Sequence, residues 1–388
     1  MKKKQILFVC YGLGIGGIET CLINLINALP EDRFDIDLLL MNPEYASKQR
    51  IKREVNYLDS YQYVMNTTDT MQEIRMHGGI IRNLRKFFSY CLFRVIVKLR
   101  GKAWTVFRKL PKHYDIAIAY SQNDYSPYYV IDKVKADRKI MWYHNGAYEA
   151  AAKKYERDQK YYDKFDYIVA VSSDCKKILK SKFKFTHGKL IVLHNICDMV
   201  QVKTNANAFR PISFKPEVIN IVTVGRMTKE KGADLAVDVC NRLYKRGILF
   251  AWHWVGDGNQ RDTIEHKVKK YGLQDIFIFE GNQTNPYPYI KNADLYVQPS
   301  YYEAFSTTVT EAKILNRPII TTDVGGMRDQ IVDGESGLIV SCDVIALERA
   351  IIRLLHDESL RNRIQNNLLK QKYDVDSYLS QYYNTVLS

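Results

Sequence analysis

The chain has 388 residues, of which 46% are hydrophobic and 26% charged, and these fractions are ordinary for a globular protein long enough for two domains. Its formal net charge of +14 is concentrated in residues 1–200, where 34 lysine and arginine residues outnumber 21 acidic residues, so this half would face any anionic partner. The seven scattered cysteines argue against a disulfide framework or a Cys/His metal site, and no stretch is apolar for long enough to span a bilayer.

The first predicted elements are a strand over residues 6–10, a glycine-rich turn, and a helix over residues 18–29. The turn matches the G-x-G-x-x-G pattern of dinucleotide-binding proteins, and such a turn lets backbone N–H groups approach a phosphate at a helix N-terminus. A dinucleotide site also requires an acid at the carboxyl end of the next strand, whereas Asp35 and Asp37 lie at its opposite end. The pattern therefore disfavours a dehydrogenase but keeps the glycines as candidate ligand contacts.

Strand-like and helix-like segments alternate along the rest of the chain, which predicts an α/β fold with parallel sheets. Further strands are predicted at residues 35–41, 115–120, 139–144, 167–172, 189–195, 218–225, 250–256, 276–281, 295–300, 318–323 and 337–340. A polar segment with two prolines, residues 204–217, is typical of a linker. We expect one domain over residues 1–205, a second over residues 206–370, and a C-terminal helix within residues 371–388 that packs back on the first domain.

One segment of the first half is strongly basic. Residues 74–114 contain no acidic residue, and apolar residues recur at helical spacing between positions 81 and 99. The basic residues of this segment are Arg75, Arg82, Arg85, Lys86, Arg94, Lys98, Arg100, Lys102, Arg108, Lys109 and Lys112. Two interpretations stay open: a helix that lies on an anionic membrane surface, and a helix packed on its own domain with a solvated basic face. The absence of a known nucleic-acid motif disfavours nucleic acid as a partner.

Two cations follow a strand in the second half. A strand ends at Gly225, and Arg226 and Lys231 come in the short loop before a helix that starts at Ala233. Cations at the carboxyl end of a strand in an open cleft suit a diphosphate. A single pair of this kind is nevertheless more often an ordinary surface feature.

Two acidic residues flank the start of a later helix. Glu303 follows the strand at residues 295–300, and a run of small hydroxyl residues, Ser306 to Thr308, opens the helix that carries Glu311. Hydroxyl residues cap a helix and leave N–H groups that bind a phosphate well. Acids beside a phosphate site are suited to sugar hydroxyls, so a sugar nucleotide would explain both features. Taken alone, these two acids are more often a capping acid and a solvated helix acid.

Together these motifs resemble glycosyltransferase family 4, whose members have the GT-B fold of two facing Rossmann-like domains. VGRMTKEKG is similar to the family's G-R-x-x-x-x-K-G loop, and the stretch from Glu303 to Glu311 is similar to its E-x7-E motif. RPIITTDVGGMRDQIVDGESGLIV resembles the family's closing stretch. In the first half GIGGIET, YHN and LHNICD resemble its short motifs more loosely. One departure is Ser306, where members usually have glycine or proline.

The resemblance implies a role for each matching residue. Arg226 and Lys231 would hold the donor diphosphate and stabilise the leaving group. Glu311 would bind the ribose, Glu303 the donor-sugar hydroxyls, and His144 would lie near that sugar. The donor-binding set implied by the motifs is completed by Gly16, Gly17, Gly225, Ala304, Phe305, Ser306 and Thr307. No metal or other cofactor is implied, and the D-x-D patterns at residues 35–37 and 374–376 have no supporting context.

The resemblance implies a retaining hexosyltransferase. We expect it to transfer a hexose or N-acetylhexosamine from a nucleotide-diphosphate sugar, with a UDP-sugar favoured by family frequency. The acceptor would be a saccharide or a lipid-linked molecule in capsule, exopolysaccharide or lipopolysaccharide synthesis. The free cysteines favour a reducing, cytoplasmic location, and attachment to the inner membrane face through residues 75–112 stays open. The alternatives are a non-catalytic GT-B partner of a glycosyltransferase complex and an enzyme that cleaves nucleotide sugars, such as an epimerase or phosphorylase.

Overall fold

The computed structural model describes residues 2–14, 16–41, 48–58, 103–122, 125–185, 188–371 and 373–387, together with helical positions Phe88, Cys91 and Val95. Its architecture is α/β, with two separate parallel sheets. The N-terminal sheet has the strand order β3-β2-β1-β4-β5-β6-β7 and the C-terminal sheet the order β10-β9-β8-β11-β12-β13. The prediction of two Rossmann-like α/β units is therefore confirmed.

The seven strands of the first sheet are β1 (Lys4–Cys10), β2 (Phe34–Leu40), β3 (Asn56–Leu58), β4 (His113–Ala119), β5 (Lys135–Tyr143), β6 (Tyr167–Ala170) and β7 (Leu190–Val192). The six strands of the second sheet are β8 (Ile219–Val224), β9 (Phe250–Val255), β10 (Phe277–Gly281), β11 (Leu295–Gln298), β12 (Ile319–Thr322) and β13 (Leu338–Val340). All neighbouring strands pair in parallel, for example with Val9 opposite both Leu39 and Ala119. Because helices cover parallel sheets on both faces, their strands are continuous apolar runs, and Ile6 to Cys10 are all buried.

The helices with described bounds are α1 (Gly17–Ala28), α2 (Ser126–Lys133), α3 (Ala152–Tyr162), α4 (Ser173–Lys182), α5 (Met199–Asn205), α6 (Ala233–Lys245), α7 (Arg261–Tyr271), α8 (Tyr287–Asn292), α9 (Thr307–Ile314), α10 (Met327–Gln330), α11 (Val344–His356), α12 (Glu358–Lys370) and α13 (Val375–Thr385). The last helix crosses to the first domain. Leu379 and Tyr382 of α13 belong to the core around the first sheet, and the Tyr382 ring stacks on Trp142 with centroids 5.9 Å apart.

Each predicted strand is present, and the structure adds β3. This strand escapes sequence analysis because it has only three residues, pairs with a single neighbour, and contains no buried side chain. A strand that short carries no readable alternation of apolar and polar residues.

The basic segment is described only in part. Residues 75–102 lie outside the described residues apart from Phe88, Cys91 and Val95. Trp104, at the end of the segment, is buried and stacks on Tyr128 with ring centroids 4.4 Å apart. This aromatic residue therefore packs in its own domain. Within the described ranges, no helix has both the length and the apolar character that crossing a bilayer requires.

Candidate active site

The second sheet reverses its strand order between β8 and β11. From β8 the sheet continues to β9 on one side and to β11 on the other. Ligands of open α/β sheets bind at such a switch point, outside the carboxyl ends of the strands. Gly225 and Arg226 follow β8, and Glu303 follows β11. The topology thus brings together two sequence motifs that are more than 70 residues apart.

Lys231 and Glu303 form the centre of this site. The Lys231 ammonium donates to Glu303 Oε1 at 2.7 Å, and the same oxygen accepts hydrogen bonds from Ser300 Oγ at 2.9 Å and Gln298 Nε2 at 3.2 Å. Glu303 is buried, whereas Lys231 is partly exposed. Gly232 makes this approach possible, because its φ is +70° and a Cβ there would lie 2.0 Å from the Pro299 carbonyl. The fold itself therefore positions the Lys231 ammonium at the switch point.

Arg226 lies in the same loop but is held loosely. Its side chain is 68% exposed, and its recorded ion pair is a 3.5 Å contact with Glu230. Exposed pairs of this kind contribute little to stability, so the guanidinium can turn towards a ligand at small cost. Gly225, just before it, lies beside the Lys231 side chain, which a Cβ at this glycine would meet at 3.8 Å.

The N-termini of α1 and α9 face each other across the two domains. Ser306 caps α9, and its Oγ accepts a hydrogen bond from the Val309 amide at 3.4 Å. A Cβ on Gly17 would lie 4.0 Å from Thr307 Oγ1, so the glycine turn and the start of α9 are in contact distance. Gly16 is the N-cap of α1. Two helix N-termini that meet in this way create a region of positive potential suited to a phosphate. Ser306, which departs from the family pattern, caps the start of α9.

Glu311 lies deeper, beneath the first domain. Burial raises the pKa of its carboxyl to about 8, although the Arg50 charge and a hydrogen bond with Tyr287 oppose this rise. The pKa of the Cys21 thiol on α1 is also raised, mainly by burial and secondly by the nearby Glu311. Glu311 is therefore mostly protonated at neutral pH.

Arg50 is a site residue that sequence analysis missed. Its guanidinium donates to the Gly14 carbonyl at 3.3 Å and to Thr20 Oγ1 at 3.0 Å, so it supports the glycine turn. Its charge also lowers the pKa of Glu311. The residue belongs to a short 3-10 turn between β2 and β3. No motif surrounds it there, and only the tertiary structure identifies it.

His144 directly follows β5 and is buried beside Tyr120, with ring centroids 4.9 Å apart. Burial lowers the pKa of its imidazole to about 3, against the opposing effect of a backbone hydrogen bond with Tyr120. The ring is therefore neutral at neutral pH. Among the described residues its Nε2 is buried without a hydrogen-bond partner.

Residues 303–305 form part of the contact between the domains. A Cβ on Gly146 of the first domain would lie 2.7 Å from the Glu303 carbonyl, and one on Gly325, where φ is +49°, would lie 1.6 Å from it. Ala304 O lies 3.9 Å from the Cys175 sulfur, and the Phe305 ring stacks on His194 with centroids 5.1 Å apart. Ala304 and Phe305 therefore position the second domain against the first, in addition to the donor contacts predicted for them.

Asp329 on α10 connects the two domains. Its Oδ2 accepts a hydrogen bond from the Ser173 amide at the start of α4 at 2.6 Å and lies 3.4 Å from His194 Nε2. Burial alone would raise the pKa of Asp329, but the nearby His194 imidazole and the hydrogen bond from the Ser173 amide hold this pKa below its ordinary value. The carboxylate thus stabilises the closed arrangement when it is ionised.

Replacing Asp329 with alanine should destabilise the protein by about 1–3 kcal/mol at pH 7, because the Ser173 amide loses its charged acceptor. The pKa of Asp329 is depressed in the folded state, so this contribution is present above the unfolded value of 3.8 and is lost as the pH falls through the folded value. Thermal melts at pH 7 and at pH 3 test this. Asp323→Ala, which breaks an exposed pair with Arg328, is the matched control and should change stability by under about 1 kcal/mol. Equal melting temperatures for both variants at pH 7 would contradict the role of Asp329.

The D-x-D pattern at residues 35–37 lies away from the candidate site. Asp37 accepts hydrogen bonds from Tyr114 Oη at 2.7 Å and from Lys112 Nζ at 3.0 Å, and Asp35 accepts one from Gln5. Both lie on β2, away from the carboxyl ends of the strands. In the part of the chain that the structure describes, no group of three or more His, Cys, Asp or Glu side chains is arranged to hold a metal ion.

Two family models match the chain, one for each half. Residues 15–201 match the model described as "Glycosyltransferase Family 4", and residues 205–371 match that described as "Glycosyl transferases group 1". The boundary between the matches falls beside the predicted linker.

Comparisons with individual proteins agree with these matches. An uncharacterized glycosyltransferase of Methanocaldococcus jannaschii is 24% identical over 58% of this chain and 64% of its own length. The poly(ribitol-phosphate) alpha-N-acetylglucosaminyltransferase of Staphylococcus aureus is 24% identical over 58% of this chain and 48% of its own length. The chain therefore spans about half to two thirds of these relatives.

A solved structure shows the same fold. HepE of Anabaena, in complex with UDP and glucose, superposes with a TM-score of 0.74 at 16% identity, over 99% of this chain and 100% of that protein. At this identity the likeness establishes the two-domain GT-B fold. The two family models together with this fold show that the chain belongs to glycosyltransferase family 4.

Proposed function

We propose that the protein is a retaining glycosyltransferase that takes a hexose or N-acetylhexosamine from a nucleotide-diphosphate sugar, with UDP as the nucleotide. The observation that carries the proposal is the Lys231–Glu303 pair at the switch point, opposite the glycine turn. An ammonium and a carboxylate at one point suit a ligand that carries both a phosphate and hydroxyl groups. HepE, a protein of the same fold, is known in complex with UDP and glucose, which supports the choice of nucleotide.

In the proposed complex the diphosphate lies between the start of α9 and the Gly16–Gly17 turn. Lys231 and Arg226 neutralise the charge that develops on the departing diphosphate, which replaces the function of a metal ion. The diphosphate replaces Glu303 as the partner of the Lys231 ammonium. The Glu303 carboxylate then accepts hydrogen bonds from the hydroxyls of the sugar. Glu311 accepts a hydrogen bond from the ribose.

In the transfer step an acceptor oxygen forms a bond to the anomeric carbon on the face from which the diphosphate leaves. The bond between that carbon and the diphosphate oxygen breaks, and its electron pair stays with the diphosphate. The acceptor proton passes to the same leaving group, so no protein base is required. Neutral His144 stabilises the sugar by accepting a hydrogen bond from a sugar hydroxyl at Nε2, the ring nitrogen that has no partner among the described residues.

The acceptor is proposed to be a saccharide or a lipid-linked precursor of a cell-surface polymer. The name of the S. aureus relative, which acts on poly(ribitol-phosphate), supports this class. The excess positive charge of residues 1–200 would favour an anionic acceptor or an anionic membrane surface.

A thermal-shift screen with UDP-, GDP- and ADP-sugars tests the proposal. A ligand at 100 times its dissociation constant stabilises the folded protein by about 2.7 kcal/mol, so a specific donor should raise the melting temperature by several degrees. We expect the UDP-sugars to give the largest shift, accompanied by slow release of UDP through hydrolysis. The absence of both a shift and hydrolysis with all three donor classes would favour the non-catalytic partner.

A further inference from the structure

Gln298, the last residue of β11, has a buried side-chain amide whose hydrogen-bonding positions are all used. Its Nε2 donates to Ser300 Oγ at 2.8 Å and to Glu303 Oε1 at 3.2 Å. Its Oε1 accepts hydrogen bonds from Tyr296 Oη at 2.7 Å and from Thr308 Oγ1 at 3.2 Å. Because a primary amide has two N–H donors and a carbonyl with two lone pairs, these four bonds fix the side chain in one orientation.

The Glu303 carboxylate determines which way this amide points. An ionised carboxylate can only accept hydrogen bonds, so the group that faces it must be the N–H₂ of Gln298 and not the carbonyl. The carbonyl then faces Tyr296 and Thr308, and both hydroxyls must donate to it. Without these two donors the amide could turn, and its carbonyl oxygen would then oppose a carboxylate oxygen.

The same hydrogen bonds distinguish the two oxygens of Glu303. Lys231, Ser300 and Gln298 all donate to Oε1, and no hydrogen bond from another described residue to Oε2 is recorded. Oε1 is therefore the anchored oxygen, and Oε2 is the oxygen that can accept from a ligand. In the proposed complex the diphosphate takes over the Lys231 ammonium, so Ser300 and Gln298 alone continue to hold Oε1.

The network also reaches the start of α9. Thr308 Oγ1 donates to Gln298, so its oxygen accepts the hydrogen bond from Ser306 Oγ, which is 3.1 Å away. Glycine or proline, the usual residues of the family at position 306, would supply no hydroxyl for this bond. In this chain the cap of the helix that is proposed to face the diphosphate is thus connected, through two side chains, to the carboxylate that is proposed to face the sugar.

We propose that Gln298 is a positioning residue, which holds Glu303 Oε1 so that Oε2 accepts a hydrogen bond from a hydroxyl of the donor sugar. The inference rests on the proposed function, because it assigns a role in binding the same donor. Gln298 contacts no ligand itself and acts through Glu303.

Calorimetry of UDP, UDP-glucose and UDP-N-acetylglucosamine measures this role, because Gln298 acts on the sugar and not on the nucleotide. We expect Gln298→Met to bind the UDP-sugar about tenfold more weakly, the lower end of the effect of a hydrogen bond to a charged group, and to keep its affinity for UDP within about threefold. Thr223→Val is the matched control. Thr223 is equally buried on β8 and bonds the Val297 carbonyl and Trp252 Nε1, so its loss should lower the melting temperature and change neither affinity.

Tyr296→Phe tests the same role without a change at Glu303 or Gln298. The substitution removes the shortest hydrogen bond to the amide carbonyl, so the UDP-sugar should bind about threefold more weakly and UDP as before. In the Gln298→Met background the same substitution should have no further effect, because the tyrosine acts through the amide. Tyr296→Phe loses only one hydroxyl and alone provides the test if Gln298→Met does not fold.

The three ligands separate the possible failures. If the wild type binds neither UDP nor either UDP-sugar, both the proposed function and the role of Gln298 are wrong. If the wild type binds UDP but neither UDP-sugar, the role of Gln298 is wrong and the proposed function stands. The same conclusion follows if the variants bind the UDP-sugar as tightly as the wild type, or lose affinity for UDP and the UDP-sugar equally.

Discussion

Replacing Lys231 with methionine is expected to slow UDP release from the donor by about 10²–10³-fold, the usual effect of removing one group that stabilises developing negative charge. Methionine keeps most of the volume of the lysine stem but cannot neutralise the departing diphosphate. Steady-state kinetics of donor hydrolysis measure the effect. Lys229→Met, two residues earlier in the same turn and exposed, is the matched control and should remain within about twofold of the wild type.

The same substitution should also lower stability, because it leaves Glu303 buried without its cation. The double variant Lys231→Met/Glu303→Gln removes both charges and retains the hydrogen bonds from Ser300 and Gln298. We expect the double variant to recover most of the lost melting temperature and to stay as slow as the single variant. Wild-type rates in either variant would contradict the role of Lys231.

Nucleotide binding at pH 7 is expected to release close to one proton from Glu311. Burial raises the pKa of this carboxyl to about 8, so it is mostly protonated at pH 7. A ribose that donates hydrogen bonds favours the ionised form and lowers this pKa. Calorimetric titrations of UDP in buffers with different ionisation enthalpies measure the proton release. Glu311→Gln should abolish the release and weaken UDP binding by about 10–100-fold, the value of a hydrogen bond to a charged group.

Glu311 should also govern how stability depends on pH. The unfolded chain releases this proton near the ordinary value of 4.5, whereas the folded protein keeps it up to about pH 8. Stability therefore falls as the pH rises between these values, at about 1.4 kcal/mol per unit, and Glu311→Gln lacks this fall. Above pH 8 the variant should melt at a higher temperature than the wild type. Arg50→Met should extend the fall to higher pH, because the Arg50 charge opposes the raised pKa of Glu311. Identical pH profiles for the wild type and Glu311→Gln would contradict the assignment.

Local patterns in the sequence were sufficient to predict most of the fold. The long apolar runs of β1, β4 and β9 could be recognised because buried parallel strands are hydrophobic on both faces. The nearness of Lys231 and Glu303 could be predicted because each follows a parallel strand, and the carboxyl ends of parallel strands meet at one edge of a sheet. The 2.7 Å contact between the Lys231 ammonium and the Glu303 carboxylate could not be predicted, since it depends on the conformation of the loop at Gly232.

Features that depend on how the domains face each other were not predictable from the sequence. Arg50 contacts the glycine turn through the tertiary fold, with no motif around it. In the sequence Gly146 and Gly325 resemble ordinary loop glycines. In the structure both lie against the Glu303 carbonyl, which leaves no room for a Cβ at either position. The raised pKa of Glu311 likewise comes from its burial beneath the first domain, which no pattern on its own helix indicates.

The most direct test of a cleft that binds a diphosphate through Arg226 and Lys231 is the affinity of UDP relative to UMP, measured by calorimetry. A second phosphate held by these cations should make UDP bind about 10–100-fold more tightly than UMP, and this preference should disappear in Arg226→Met/Lys231→Met. Equal affinities for UDP and UMP in the wild type, or a preference that survives in the double variant, would contradict the account.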